Sequence, residues 1–166
     1  SGSPESQFDF DIKQVSKDDA EKILDSIEAA DLSDAFWDAR LVQELDKATI
    51  NSPYLNLFFA AQIKAGDKGF LSTDITVGNL ISHRGDIHHL FPKEYLKTKF
   101  KNRGDYNQIA NFVYAQSEIN IKIGKKAPKE YMEEIRKQCN GGNLKYGGIT
   151  DNETLAENLK QNSIPE

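Results

Sequence analysis

Cysteine is nearly missing from this chain: Cys139 is the only one. A single thiol excludes an intramolecular disulfide and a cysteine zinc site, and with them the secreted disulfide scaffolds and the zinc fingers. Long apolar runs are missing as well. No stretch approaches the roughly 18 to 20 residues that a membrane helix needs, and the N-terminus lacks a basic region followed by an apolar core. The expectation is a soluble, cytoplasmic protein with no membrane partner. Gly141, Gly142, Gly147 and Gly148 lack the Gly-Lys-Ser/Thr ending of a phosphate-binding loop and read as a turn-rich connection. A G-x-S-x-G elbow is absent too, which leaves no case for acyl-transfer catalysis.

What is present is 166 residues, 38% of them hydrophobic and 10% aromatic. That is enough for one respectable core and short for two, so one domain is expected over residues 5–166. The opening Ser1-Gly2-Ser3-Pro4 looks like a cloning remnant, and the rest reads as a C-terminal piece of a larger protein. The net charge of −5 argues against a nucleic-acid partner only as an average. Residues 1–83 hold 7 Lys/Arg against 15 Asp/Glu, a net −8; residues 84–145 hold 13 against 7, a net +6; residues 146–166 hold 1 against 4, a net −3. Salt screens anything beyond about 8 to 10 Å, so a polyanion meets the local field of that basic middle.

The first half reads as helices. One begins at Ser16, where Ser16 with Asp19 resembles a capping box ahead of Ala20, Ile23, Leu24 and Ile27 at helical spacing. A second follows Ser33, with Phe36, Trp37, Leu41 and Leu45 on one side. A third opens at Ser52-Pro53 and runs to Gly66. From Asp86 the pattern changes: a strand over 86–91 is ended by Pro92, a polar, basic loop spans 97–107, and a second strand over 111–116 leads into a short helix capped by Ser117. Pro128 starts another helix with Tyr131, Ile135 and Cys139 inward, stopped by Asn140-Gly141-Gly142, and a last helix is capped by Thr150 with Glu153. The fold class expected is α+β, mostly helical, around a short two-stranded antiparallel hairpin.

In "GDIHHLFPKEYL", residues 85–96, two histidines stand side by side. On a strand, neighbours leave on opposite faces, so Asp86 and His88 point one way and His89 the other. A helix packed across the hairpin brings Asn120 beside His88, one nitrogen and one oxygen for a cation. Two protein ligands leave most coordination positions to water and phosphate, as Mg²⁺ prefers, while imidazole also admits Mn²⁺, Ni²⁺ or Zn²⁺. His89, off the metal, is free to take a proton from water. Asp86 shares the His88 face, as a third ligand or an orienting partner, and reads better as the latter; His83 reads as ordinary surface or as support behind the site.

"DIHHLFPKEYL" and "IANFVYAQSEINIKIGKKAPKEY", with Asn111 lying 22 residues after His89, resemble the HNH (His-Me finger, ββα-metal) nuclease motif. The similarity covers about residues 80–132 and is greatest to the C-terminal nuclease domain of GmrSD-type, modification-dependent (type IV) restriction proteins. That resemblance implies a finger over 81–132, helical support over 5–80 and C-terminal helices over 133–166. It implies that His89 is the general base, His88 and Asn120 hold the metal, and Asn111 braces the loop that orients the base. Lys93, Lys122, Lys125 and Lys126 would face DNA phosphates. The family's bracing cysteine pairs are missing, so the first-half helices must support the finger. The nucleotide-binding or recognition domain usual in such chains is missing too and becomes an expected partner, in the same or another chain.

The implied function is a DNA endonuclease using one divalent cation, Mg²⁺ first, as the effector of restriction or anti-phage defence. Phosphate contacts read no bases, so target choice comes from elsewhere. Two rivals stand beside it. A non-catalytic DNA-binding or assembly module would keep the finger as scaffold, and a ribonuclease or toxin would use the same phosphodiester chemistry.

Overall fold

The structure, a computed structural model, describes residues 3–16, 20–83 and 85–165. It divides into two compact units, Ser1–Leu45 and Asp46–Glu166, so the helical support expected through residue 80 is split after Leu45.

The first unit comprises α1 (Pro4–Val15), α2 (Ala20–Asp31) and a π-type turn over Phe36–Arg40 that continues into α3 (Leu41–Leu45). The helix expected to open at Ser16 begins later. Ser16 instead closes α1, its hydroxyl donating to the Lys13 carbonyl at 2.9 Å, and Asp19 lies outside the described residues. No residue of α2, the π turn or α3 is buried. Their apolar periodicity is real, yet Leu24 is 65% exposed and Trp37 49%.

The second unit is built around a hairpin. Strands β1 (Gly85–His89) and β2 (Phe112–Gln116) pair antiparallel, with His88 opposite Val113 and His89 opposite Phe112. The fold is therefore α+β with a two-stranded antiparallel sheet. The first strand ends two residues short of the expected Phe91, and the second starts one late, because Ile109–Asn111 form a 3-10 turn. Alternation sends the two strand faces into different apolar clusters. On one side Ile87, Phe112 and Tyr114 pack with Leu55 and Phe59 of α4 (Pro53–Ala65) and Val77 of α5 (Val77–Ser82). On the other, Val113 and Ala115 join Phe70, Leu71, Ile119 and Ile123 of α8 (Ser117–Ile123), Tyr131 and Ile135 of α9 (Pro128–Cys139), and Leu155 and Leu159 of α10 (Asn152–Gln161). Between the strands lie two single-turn helices, α6 (Lys93–Leu96), which was not anticipated, and α7 (Arg103–Tyr106), within the stretch 97–107 expected as a loop.

Several boundaries follow from local chemistry. Ser52 accepts from the Tyr54 amide, Pro53 takes the first turn, and Gly66 ends α4 at φ 74°, in the left-handed region open to glycine. Helix α10 is capped by Asp151, not Thr150: its carboxylate accepts from the Thr154 amide at 2.8 Å, where the helix dipole favours negative charge. Ser117, expected as a cap, is the first residue of α8, since β2 runs into that helix with no connecting residue. Helix α5, capped by Thr76 accepting from the Asn79 amide, was not anticipated; at 6 residues it is too short to show a period. Buried amides serve the irregular backbone: Asn158 accepts from the Leu71 amide and donates to the Gly69 and Ser72 carbonyls.

Candidate active site

Strand β1 and helix α8 meet at a small cleft of about 190 Å³, lined by Ile87, His88, His89, Pro92, Lys93, Glu94, Asn120 and Gly124. Gly124 closes α8 at φ 57° and ψ −120°, a conformation that a side chain would strain, and so turns the chain away at the rim.

His88 is buried, and its Nδ1 lies 2.6 Å from Asn120 Oδ1. Its ring stacks on Phe70 with centroids 6.3 Å apart and planes 12° from parallel. Burial pushes its pKa below the ordinary 6.5, against the opposing pull of the Asn120 hydrogen bond, so the imidazole is neutral at pH 7. The far nitrogen, Nε2, is buried without a hydrogen-bond partner. An amide oxygen only accepts, so at this distance Nδ1 carries the proton and donates it to Asn120 Oδ1. An imidazole nitrogen and an amide oxygen are both donors that a divalent ion accepts, and an ion shared by Nδ1 and Oδ1 would take the place of that proton. Among the described residues no group of three or more His, Cys, Asp or Glu could hold a metal. Any ion on His88 and Asn120 would take its other ligands from water or phosphate.

His89 is placed differently. Its ring packs edge-on against Phe112, 4.8 Å between centroids, and its Nε2 lies 3.1 Å from Asn107 Oδ1. An amide oxygen only accepts, so Nε2 carries the proton and Nδ1 keeps its lone pair. Asn107 was not singled out in the sequence, where it closes the basic loop. Its only signal is that it is a short amide in the segment joining the strands.

Asn111 is buried and its side chain makes three hydrogen bonds. Oδ1 accepts from the Phe91 amide at 2.7 Å, and Nδ2 donates to the Phe91 carbonyl at 3.2 Å and the Tyr106 carbonyl at 3.0 Å. The backbone of Asn111 accepts from the Leu90 amide, and the Tyr131 hydroxyl donates to the Leu90 carbonyl at 2.6 Å. Residues 90 and 91 are thereby held on four sides, immediately after His89.

The cations divide. Lys93 lines the cleft, and Lys122 and Lys125 are exposed on either side of Gly124. Lys126, expected to face phosphate, is engaged: its Nζ lies 2.8 Å from Glu134 Oε2 and 2.5 Å from the Tyr146 hydroxyl. Lys145 reaches the same carboxylate at 2.8 Å. The two lysines, with the Tyr146 hydroxyl, hold the Glu134 carboxyl down to about 2. Lys126 thus has its charge matched within the fold. Asp86 is exposed and favours the charged form of His88 only weakly, as the smallest influence on it. His83 is exposed, its Nδ1 3.3 Å from the Asn79 carbonyl.

No helix among the described residues is long and apolar enough to cross a membrane. No protein-family model matches the chain, and no solved structure matches it. An uncharacterised protein of Methanocaldococcus jannaschii is 28% identical over 137 residues, a match that covers 81% of this chain and 22% of that protein. The chain thus spans about a fifth of the length of the curated relative it matches.

Proposed function

We propose that this chain is a metal-dependent endonuclease of the HNH type, hydrolysing phosphodiester bonds in DNA as the effector of a restriction or anti-phage defence protein. One observation supports the reading: the strand sends adjacent imidazoles into different surroundings. His88 is buried, neutral and directed at an amide oxygen, while His89 has one nitrogen pinned by Asn107 and the other left as a base. Asn111 supports this by fixing the backbone that follows His89, which leaves the imidazole little freedom to swing from a bound phosphate.

A cation on His88 and Asn120 would offset negative charge on the phosphate as the P–O bond breaks. Lys93, with exposed Lys122 and Lys125 at the rim, would position the backbone of the substrate. His89 Nδ1 would take a proton from the water that attacks phosphorus as the P–O bond to the leaving 3′ oxygen breaks.

The test is nicking of supercoiled plasmid by the wild type and His89→Ala in Mg²⁺, Mn²⁺, Ni²⁺, Zn²⁺ and EDTA. Loss of a general base lowers the rate by about 10² to 10⁴-fold, with the far-UV circular dichroism unchanged. Cleavage by His89→Ala at the wild-type rate, or cleavage that survives EDTA, sinks the reading. Digestion of structured RNA in parallel decides between deoxyribonuclease and ribonuclease.

A further inference from the structure

The stretch that leaves the cleft, "FPKEYLKTKFKNR", carries Lys93, Lys97, Lys99, Lys101 and Arg103 against the single carboxylate Glu94. Glu94 is taken by Lys97 at 2.6 Å. Lys99 lies over the Tyr95 ring, 5.4 Å from its centroid. Among the described residues Lys99, Lys101 and Arg103 make no ion pair, and all three are exposed. Set among these cations are two phenylalanines that the fold leaves in solvent, Phe91 at 48% exposed and Phe100 at 45%.

Phe91 is exposed on a rigid mount. Both its amide and its carbonyl are bonded by the buried Asn111 side chain, so the ring is presented at low entropic cost. Its neighbour Pro92 and the next residue, Lys93, line the cleft that holds His88 and His89. An aromatic ring held two residues from a candidate base, with free cations running on from it, matches what binds an unpaired strand: cations follow the phosphates, and rings stack on bases that no complementary strand covers. In an intact duplex the bases are already stacked, and Phe91 and Phe100 would meet only sugar and phosphate.

We infer that the segment Phe91–Arg103 is a docking surface for single-stranded DNA, with Phe91 and Phe100 stacking on bases and Lys99, Lys101 and Arg103 following the backbone into the cleft. The inference rests on the nuclease reading for what happens in the cleft, but binding is separable from cutting. Unpaired segments, such as bubbles, flaps and strand ends, are then the preferred substrates over relaxed duplex.

The experiment is fluorescence anisotropy of the full chain in EDTA, with one labelled oligodeoxynucleotide, its duplex and the RNA strand of the same sequence. The single DNA strand binds tightest. Phe91→Ala and Phe100→Ala each weaken it by about fivefold or more and leave duplex binding unchanged. The triple variant Lys99→Glu/Lys101→Glu/Arg103→Glu weakens every ligand and flattens the salt dependence. Both rings are half in solvent, so melting temperatures near wild type are expected and are measured alongside. Equal or tighter binding of duplex, or Phe→Ala variants that bind the strand like wild type, overturns the inference; tighter binding of RNA overturns its assignment to DNA. If the strand is bound as expected while no metal supports cleavage, the nuclease reading fails alone. Cleavage without strand preference removes only the docking surface.

Discussion

The two units of this chain use the same apolar alphabet to opposite ends. Residues 1–45 show apolar residues at helical spacing, yet no residue of α2, the π turn or α3 is fully buried, and Phe8, Phe10, Leu24 and Trp37 remain in solvent. Residues 46–166 have shorter and less regular elements, but Phe70, Leu71, Val77, Ile135 and Tyr146 are fully covered. Periodicity tells which face of a helix is apolar. Whether that face is buried depends on a second layer, and in this chain the hairpin supplies one on each of its sides. The first unit is also strongly acidic, with 4 Lys/Arg against 12 Asp/Glu, so its net charge opposes a polyanion, while the basic stretch 84–145 lies in the strand-bearing unit.

If that contrast is right, stability belongs almost wholly to the second unit. Phe70→Ala removes a ring that is 0% exposed and stacked on His88, and is expected to cost about 3 to 5 kcal/mol in denaturant unfolding. Asn111→Ala leaves the Phe91 amide and two carbonyls without their partner and is expected to cost about 2 kcal/mol; nicking should fall further than that loss explains, because His89 sits on the loosened loop. A weaker effect appears in acid. Glu134 has its carboxyl held from an ordinary 4.5 down to about 2, so its contribution is complete above pH 4.5 and is lost as the pH falls toward 2. Glu134→Gln should flatten the stability profile across that window and leave it unchanged at pH 7 to 8 in slope, as read from thermal melts. Smallest of all, Leu24→Ala in the first unit is expected within about 0.5 kcal/mol of wild type. A larger loss there would mean that its apolar face is covered and would break the contrast.

Elements with strong punctuation were legible in advance. Helix α4 was bounded by Ser52-Pro53 and Gly66, and α9 by Pro128 and Asn140, and both stand so in the structure, because caps, proline and left-handed glycine act within a few residues. The hairpin and its alternation were legible for the same local reason. Helix α1, short α5 and the single turns α6 and α7 were not, since a helix of one turn shows no period and is held by what it packs on. In the candidate site, the placement of Asn120 beside His88 and the separation of His88 from His89 followed from a period of two and a helix after the second strand. Asn107 escaped notice because it lies 18 residues from His89 along the chain and meets it only when the inter-strand segment folds back. Lys126 looked like its neighbours until Glu134 and Tyr146 were brought to it.

The amino-acid order alone determined the limits of the strongly punctuated helices α4 and α9, the strand alternation that parts the two imidazoles, and the basic middle of an acidic chain, since backbone dihedrals, side-chain period and net charge are local or summed properties. Tertiary structure decided which apolar faces are buried, which cations keep their charge unmatched, and which amide holds each histidine. Those outcomes depend on contacts between distant residues, made only once loop-closure entropy is offset by a packed core.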